Sequence, residues 1–484
     1  MSSNGRGWRS TRWRLPSTSR SNTDMINSRR KFLYRSAALT GAGLFGNLSW
    51  LGAEFANAQS LSGYKALVGV FLYGGNDANN TLVPITNYAS YSAVRTAGSN
   101  IQIPQAQLLP ITPKSPPNSG QTFGLHPDLI DIHPLYAQGK LAVICNAGML
   151  IAPLTKAQYQ AGMNRPLNLF SHSDQQNQWQ GLIPGAAQRT GWAGRISDKI
   201  SIANAGAQIP TMVSVSGASV FNFGGTTGPF VIPSAGGVSL SGTGTDAISV
   251  ARIGGVQQLL TTSGTNQIVG SAAAVLSNAL VAASSADPVL TGPLSPAITA
   301  AFTVGGKLLN TGLANQLKQV ARLIESQAAL GIKRQFFFVS MGGFDNHSAL
   351  VKDQSALFQQ LSPALSAFYN YTVAAGVDSD VTTFTMSDFS RTFIGNGNAG
   401  TDHAWGSHHL VLGGAVKGGD FYGTFPTLAV KGPDDSGGNG AWVPTTAVDQ
   451  IGATLASWFG VAGVDLPYVF PNLSRFATPN LGFV

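Results

Sequence analysis

The sequence predicts an α/β protein with a mostly parallel central sheet covered by helices on both faces. Three observations carry that expectation. Short apolar runs at 66–73, 141–145 and 336–339 lack polar alternation, as strands buried on both faces do, and 381–386 reads as a further strand. Between them, Leu313, Leu317, Val320, Ala321 and Ile324, and then Leu357, Leu361, Leu365 and Phe368, are spaced to share one helical face. Strands alternating with helices need crossover connections, which favour parallel pairing. Finally, several strands run into a carboxylate: Gly74-Gly75-Asn76-Asp77, Gly342-Gly343-Phe344-Asp345-Asn346-His347 and Ser387-Asp388.

Taken in order, the chain opens on a leader. Ser28-Arg29-Arg30-Lys31-Phe32-Leu33 resembles a twin-arginine export signal, followed by a mildly apolar run at 36–50 and an A-x-A cleavage site, Ala56-Asn57-Ala58. Residues 1–58 are therefore expected to be a signal peptide with an upstream extension, the start being Met1 or Met25. Residues 59–484 are expected to form a single domain, periplasmic or secreted after passage through the twin-arginine machinery.

After the first strand, a Pro- and Gln-rich loop at 101–121 leads to His126-Pro127, where proline suits the first turn of a helix. Ser171 and Asp174 have capping-box spacing, and 191–195 opens another helix. Residues 203–305 turn rich in Gly, Ser, Thr and Ala and read as an elaboration of small strands and loops. Pro363 predicts a kink or restart in the helix after residue 350. A Gly/Asn loop then carries Asp402-His403 and His408-His409 into a last short strand at 410–412.

Composition narrows the function classes. Of 484 residues, 43% are hydrophobic and only 10% charged, with 58 glycines, which fits a globular exported protein. The net charge of +8 belongs to the leader: residues 1–58 hold nine basic and two acidic side chains, leaving 20 against 19 in the rest. A nucleic-acid partner thus has little electrostatic support. A lone cysteine, Cys145, allows no internal disulfide and no cysteine-ligated iron–sulfur cluster within one chain. No second apolar run of about 18 residues stands out, so no stable membrane span is expected after export.

Parallel strands place their C-terminal ends on one edge, so Asp77, Asp345 and Asp388 are expected to gather there. Carboxylates so gathered repel one another unless a cation neutralises them. Carboxylate with imidazole is a usual ligand set for zinc, manganese or iron, and most of the seven histidines sit beside Gly, Asp or Ser.

The leader together with Phe71-Leu72-Tyr73-Gly74-Gly75-Asn76-Asp77, Ser171-His172, the 342–347 stretch, Ser387-Asp388-Phe389-Ser390-Arg391 and Asp402-His403-Ala404-Trp405-Gly406 resembles the bacterial domain of unknown function 1501 family (DUF1501). That family is similar to the alkaline phosphatase and sulfatase superfamily. The resemblance implies an alkaline phosphatase-like fold and one or two divalent ions, zinc or manganese. It implies metal ligation by Asp77, Asp345, His347, Asp388 and His403 or His408, and places Ser171 and His172 in the catalytic position, Ser171 as nucleophile or as a helix cap only. Phe389 stands where the superfamily has a histidine, which puts a second metal in doubt. The expected activity is hydrolysis of phosphate, sulfate or related anionic esters, small or polymeric. The alternative is a catalytically silent envelope protein that binds a polymer or partner protein.

Overall fold

The computed structural model describes residues 61–183, 188–238, 245–261 and 267–484. The twin-arginine leader lies outside the described residues. Ser60–Val484 form one compact unit.

Its centre is a nine-stranded sheet. The strands are β1 (Lys65–Leu72), β2 (Leu141–Gly148), β3 (Met212–Ser214), β4 (Phe230–Val231), β5 (Arg334–Met341), β6 (Val381–Ser387), β7 (Ser407–Gly413), β8 (Phe421–Tyr422) and β9 (Thr446–Ala447). They lie in the order β8-β2-β7-β6-β1-β5-β3-β4, with β9 also pairing β2. β1 is parallel to both β5 and β6, and its register sets Leu72 beside Met341 and Ser387. Three strands thus end level, and the loops that follow them share one edge. β7 alone runs antiparallel to its neighbours, β6 and β2.

Both faces of the sheet are covered because side chains alternate along each strand. Ala66, Val68, Val70, Phe337 and Val339 point to the face packed by helices α6 (Gly312–Glu325) and α7 (Leu350–Ala374). Leu67, Phe71, Phe336, Phe338 and Phe384 point to the other, beneath α3 (Trp192–Ile200) and α8 (Val448–Phe459). Trp192 fills that second face, its ring 4.8 Å from Phe221 and 5.6 Å from Phe336. Cutting a buried Phe such as Phe336 to Ala would cost about 3–5 kcal/mol. The remaining longer helices are α1 (Tyr88–Thr96), α2 (His172–Gly181), α4 (Ala247–Thr261) and α5 (Gln267–Thr291).

Three local expectations need correction. Residues 203–305 are largely helical, since α4 and α5 fall there alongside the short strands β3 and β4. Alanine-rich stretches such as Ala272-Ala273-Ala274 outweigh the glycine and serine in propensity. α7 runs unbroken through Pro363. His408 and His409 belong to β7 itself rather than to the loop before it.

Candidate metal centre

The site forms where topology brings four segments together. Asp345 and His347 follow β5, and Asp388 follows β6, at the level edge. Because β7 is antiparallel, its beginning lies at that same edge, so the loop preceding it delivers Asp402 and His403 there. His172 comes from the first residue of α2. Two glycines permit the close approach. Gly74 has φ +114°, and a Cβ on it would collide with the backbone nitrogen of Asp345; a Cβ on Gly400 would collide with the backbone of His347.

Three imidazoles meet one carboxylate oxygen. Asp345 Oδ1 lies 3.3 Å from His172 Nε2, 3.0 Å from His347 Nε2 and 3.3 Å from His403 Nε2. His347 Nε2 and His403 Nε2 are 2.9 Å apart. One ligand atom each from His172, Asp345 and His403 lies within 4.8 Å of the others.

Each ring is held from behind by an oxygen that can only accept. His172 Nδ1 is 2.7 Å from Asp388 Oδ2, His403 Nδ1 is 2.6 Å from the Phe170 carbonyl, and His347 Nδ1 is 3.2 Å from Asp402 Oδ1. Those partners assign the proton of each neutral ring to Nδ1 and leave each Nε2 as a lone pair. Bare nitrogens beside a carboxylate repel one another, and a bound cation, or a proton on one of the rings, relieves that. His172 Nε2 is moreover a buried atom without a hydrogen-bond partner. The donor set therefore fits a divalent ion with mixed nitrogen and oxygen ligands, each histidine oriented through its other nitrogen.

Electrostatics favour the charge states such a site needs. Burial by itself would raise the Asp345 carboxyl, but the Arg391 hydrogen bond and charge hold it below the usual carboxylate range. Burial pushes His403 down, aided by Arg391 and His172 and opposed by the Phe170 carbonyl and Asp345, so it stays neutral at pH 7. Arg391 is itself fully buried and donates to Asp345 Oδ1 at 2.8 Å and to the carbonyls of Gly74 and Thr401. Its fork is spent on the protein. The backbone is also committed here: Phe170 has φ 75°, unusual for a bulky residue, and its carbonyl is the one that holds His403.

The expected residues divide accordingly. Asp345, His347 and His403 converge, and His172 joins them as a ligand-type imidazole. Asp388 is fully buried and acts behind His172, accepting also from Gln176 at 2.8 Å and from the Gly74 N–H at 3.3 Å. Asp77 does not offer its carboxylate to the cluster: fully buried, it pairs with Arg95 of α1 and accepts from the Asn79 N–H at 2.8 Å. His408 is apart, its Nδ1 accepting from the Asn146 N–H at 3.1 Å and its ring stacked on Phe425. Ser171 is the N-cap residue of α2, but its hydroxyl donates to Asp174 Oδ2 at 2.6 Å and makes no cap bond. Phe389 packs its ring 4.8 Å from both His172 and His403. The anchors Phe170 and Asp402 were not singled out by sequence, although the pair Asp402-His403 was a visible signal.

Fold and site together define an α/β protein with a histidine–carboxylate cluster at the C-terminal edge of a mostly parallel sheet. Residues 302–436 match the model of a family described as Protein of unknown function (DUF1501). The matched span carries Asp345, His347, Asp388, Asp402 and His403 but not His172. No curated protein matches the chain.

Proposed function

We propose that the protein is an exported metal-dependent hydrolase of phosphate, sulfate or related anionic esters, working with one divalent ion, zinc or manganese. The observation that carries the metal assignment is the meeting of three Nε2 lone pairs on Asp345 Oδ1, each ring fixed by an accepting oxygen. His172, Asp345, His347 and His403 would hold the ion, which when bound supplies Lewis acidity toward an ester oxygen. Asp388, Asp402 and the Phe170 carbonyl orient the rings, and Arg391 fixes Asp345. His347 and Asp345 are each 46% exposed, so the centre opens to solvent on one side and admits a large substrate. Ser171 remains the candidate nucleophile, with Asp174 placed to accept its proton. The ester class rests on the resemblance to alkaline phosphatases and sulfatases, and export rests on the leader motif.

One observation favours the silent reading. Phe389 occupies the place of the second-metal histidine, and Asp77 and Asp388 are engaged elsewhere, so among the described residues this edge offers ligands for one ion. The test is metal analysis of protein purified without chelators, followed by assay on aryl phosphates and aryl sulfates. About one ion per chain and turnover abolished in His403→Ala are expected. Metal without turnover on either ester class would replace the hydrolase by a silent envelope protein that keeps a structural ion; no metal would remove the hydrolase and leave the silent envelope protein that binds a polymer or partner protein.

A further inference from the structure

We infer that the packed pair of helices α4 and α5 is a lipid-docking element whose exposed surface enters the interface of a bilayer. Against the expectation that no second apolar run of about 18 residues is present, the 24 residues Ile268–Thr291 form a helix long and apolar enough to cross a membrane, yet only 6% of its most apolar window is buried. A core helix would be buried and a signal segment would lie near the N-terminus; this helix does neither. Val275 is 70% exposed, Val281 50%, and on α4 Ile248 is 71% and Val250 57% exposed.

Charge and arrangement point to lipid. Between Asp246 and Asp287 the sequence carries a single charged residue, Arg252. The whole chain is 10% charged, so a water-facing stretch of that length would be expected to carry about four charges. The exposed apolar side chains also spread round the helices beyond one stripe: Ile248 and Val250 are two positions apart, roughly 200° round the axis, and Leu276 and Val281 five, roughly 140°. A protein partner covers one face, whereas hydrocarbon solvates all of them. Hydroxyls turn back onto their own helix, Thr261 donating to the Gln258 carbonyl at 2.8 Å and Ser284 to that of Val281 at 3.0 Å, so they make little demand on water.

The docked end of α5 sets the depth. Ala282, Ala286 and Leu290 are buried, and Asp287 accepts from the Val238 N–H at 2.9 Å, so the last turns of α5 are docked on the domain. A cavity of about 540 Å³ lies between α5 and the sheet edge, lined in part by Ile209, Phe230, Val275 and Ala279. The stretch from 268 to 281 reaches roughly 21 Å at ~1.5 Å per residue, short of the ~30 Å hydrocarbon core. That stretch of α5 therefore reaches into one side of a bilayer and does not span it.

The test uses the full-length chain, so any contribution of residues 1–58 is common to all variants. Vesicles of phosphatidylcholine and phosphatidylglycerol are floated with wild type and with the double variant Val250→Glu/Leu276→Glu. Both positions are exposed, so the variant should melt like wild type, and the vesicle-bound fraction should fall about tenfold or more. In parallel, Leu276→Cys carries an environment-sensitive dye, the native Cys145 being buried. Its emission should shift to the blue on vesicle addition, while dye at Val464→Cys, 88% exposed elsewhere, should not respond. Equal flotation of wild type and variant overturns the inference, as does an unresponsive dye at 276. A dye response to protein concentration without vesicles would overturn it in favour of a second copy.

Discussion

His172 Nδ1 lies 2.7 Å from Asp388 Oδ2, and this contact decides which nitrogen of His172 faces Asp345. Asp388→Asn keeps the shape but can offer its amide to Nδ1, favouring the other tautomer and placing a proton on Nε2. Metal affinity is expected to fall about 10- to 100-fold, the usual cost of losing such an orienting partner. Titration with zinc under a competing chelator measures it. Affinity equal to wild type would remove Asp388 as a positioning residue.

Asp77 separates a structural carboxylate from a ligand. Both it and Arg95 are fully buried, so Asp77→Ala strands a guanidinium in the interior and should cost about 3–5 kcal/mol. Denaturant unfolding reads that loss. The folded variant should bind as much metal as wild type, and a lost ion would return Asp77 to the ligand set.

Gly74 ties stability to the site. Alanine there must adopt φ +114° and push against Asp345, moving the carboxylate that the three histidines share. Gly74→Ala is expected to lower both melting temperature and metal affinity. Gly98→Ala also sits at positive φ but in open space, so it should lower stability alone.

The pH profile has two opposed contributions. Burial pushes His126 down to about 4 and His408 and His409 to about 3, whereas in the unfolded chain each titrates near 6.5. The unfolded state then binds protons that the folded state refuses, so stability falls as pH drops below about 6.5.

Asp449 works the other way. Burial raises it to about 7, against the pull of its Asn472 hydrogen bonds, from an unfolded value of about 3.9. Over that interval the folded state keeps a proton the unfolded state has lost, and stability declines with rising pH. Asp449→Asn mimics the neutral acid and removes this decline. Its melting temperature should exceed that of wild type by a margin that grows from about pH 4 to pH 7 and then levels. A margin independent of pH would contradict the assignment.

How far the site was legible follows from the kind of signal each residue gives. Asp345 and His347 stand out because a buried strand runs directly into them, and Asp388 for the same reason. What each carboxylate does was not legible, since Asp77 and Asp388 look alike in sequence after their strands. Arg95, on a helix 18 positions further on, claims Asp77, while His172 from a distant helix claims Asp388.

The sequence by itself determined the five longest strands, the two-faced sheet and the edge where chemistry gathers, because buried runs and helical spacing are local patterns that burial enforces. Only the tertiary structure decided the ligand set. The antiparallel course of β7 returns His403 to the C-terminal edge and buries His408 along the strand beside Phe425, a division that depends on long-range pairing. Hydrogen bonds from Asp388, Asp402 and the Phe170 carbonyl then turn three imidazoles to face Asp345. No spacing along the chain encodes those contacts, because each joins segments that meet only when the sheet has formed.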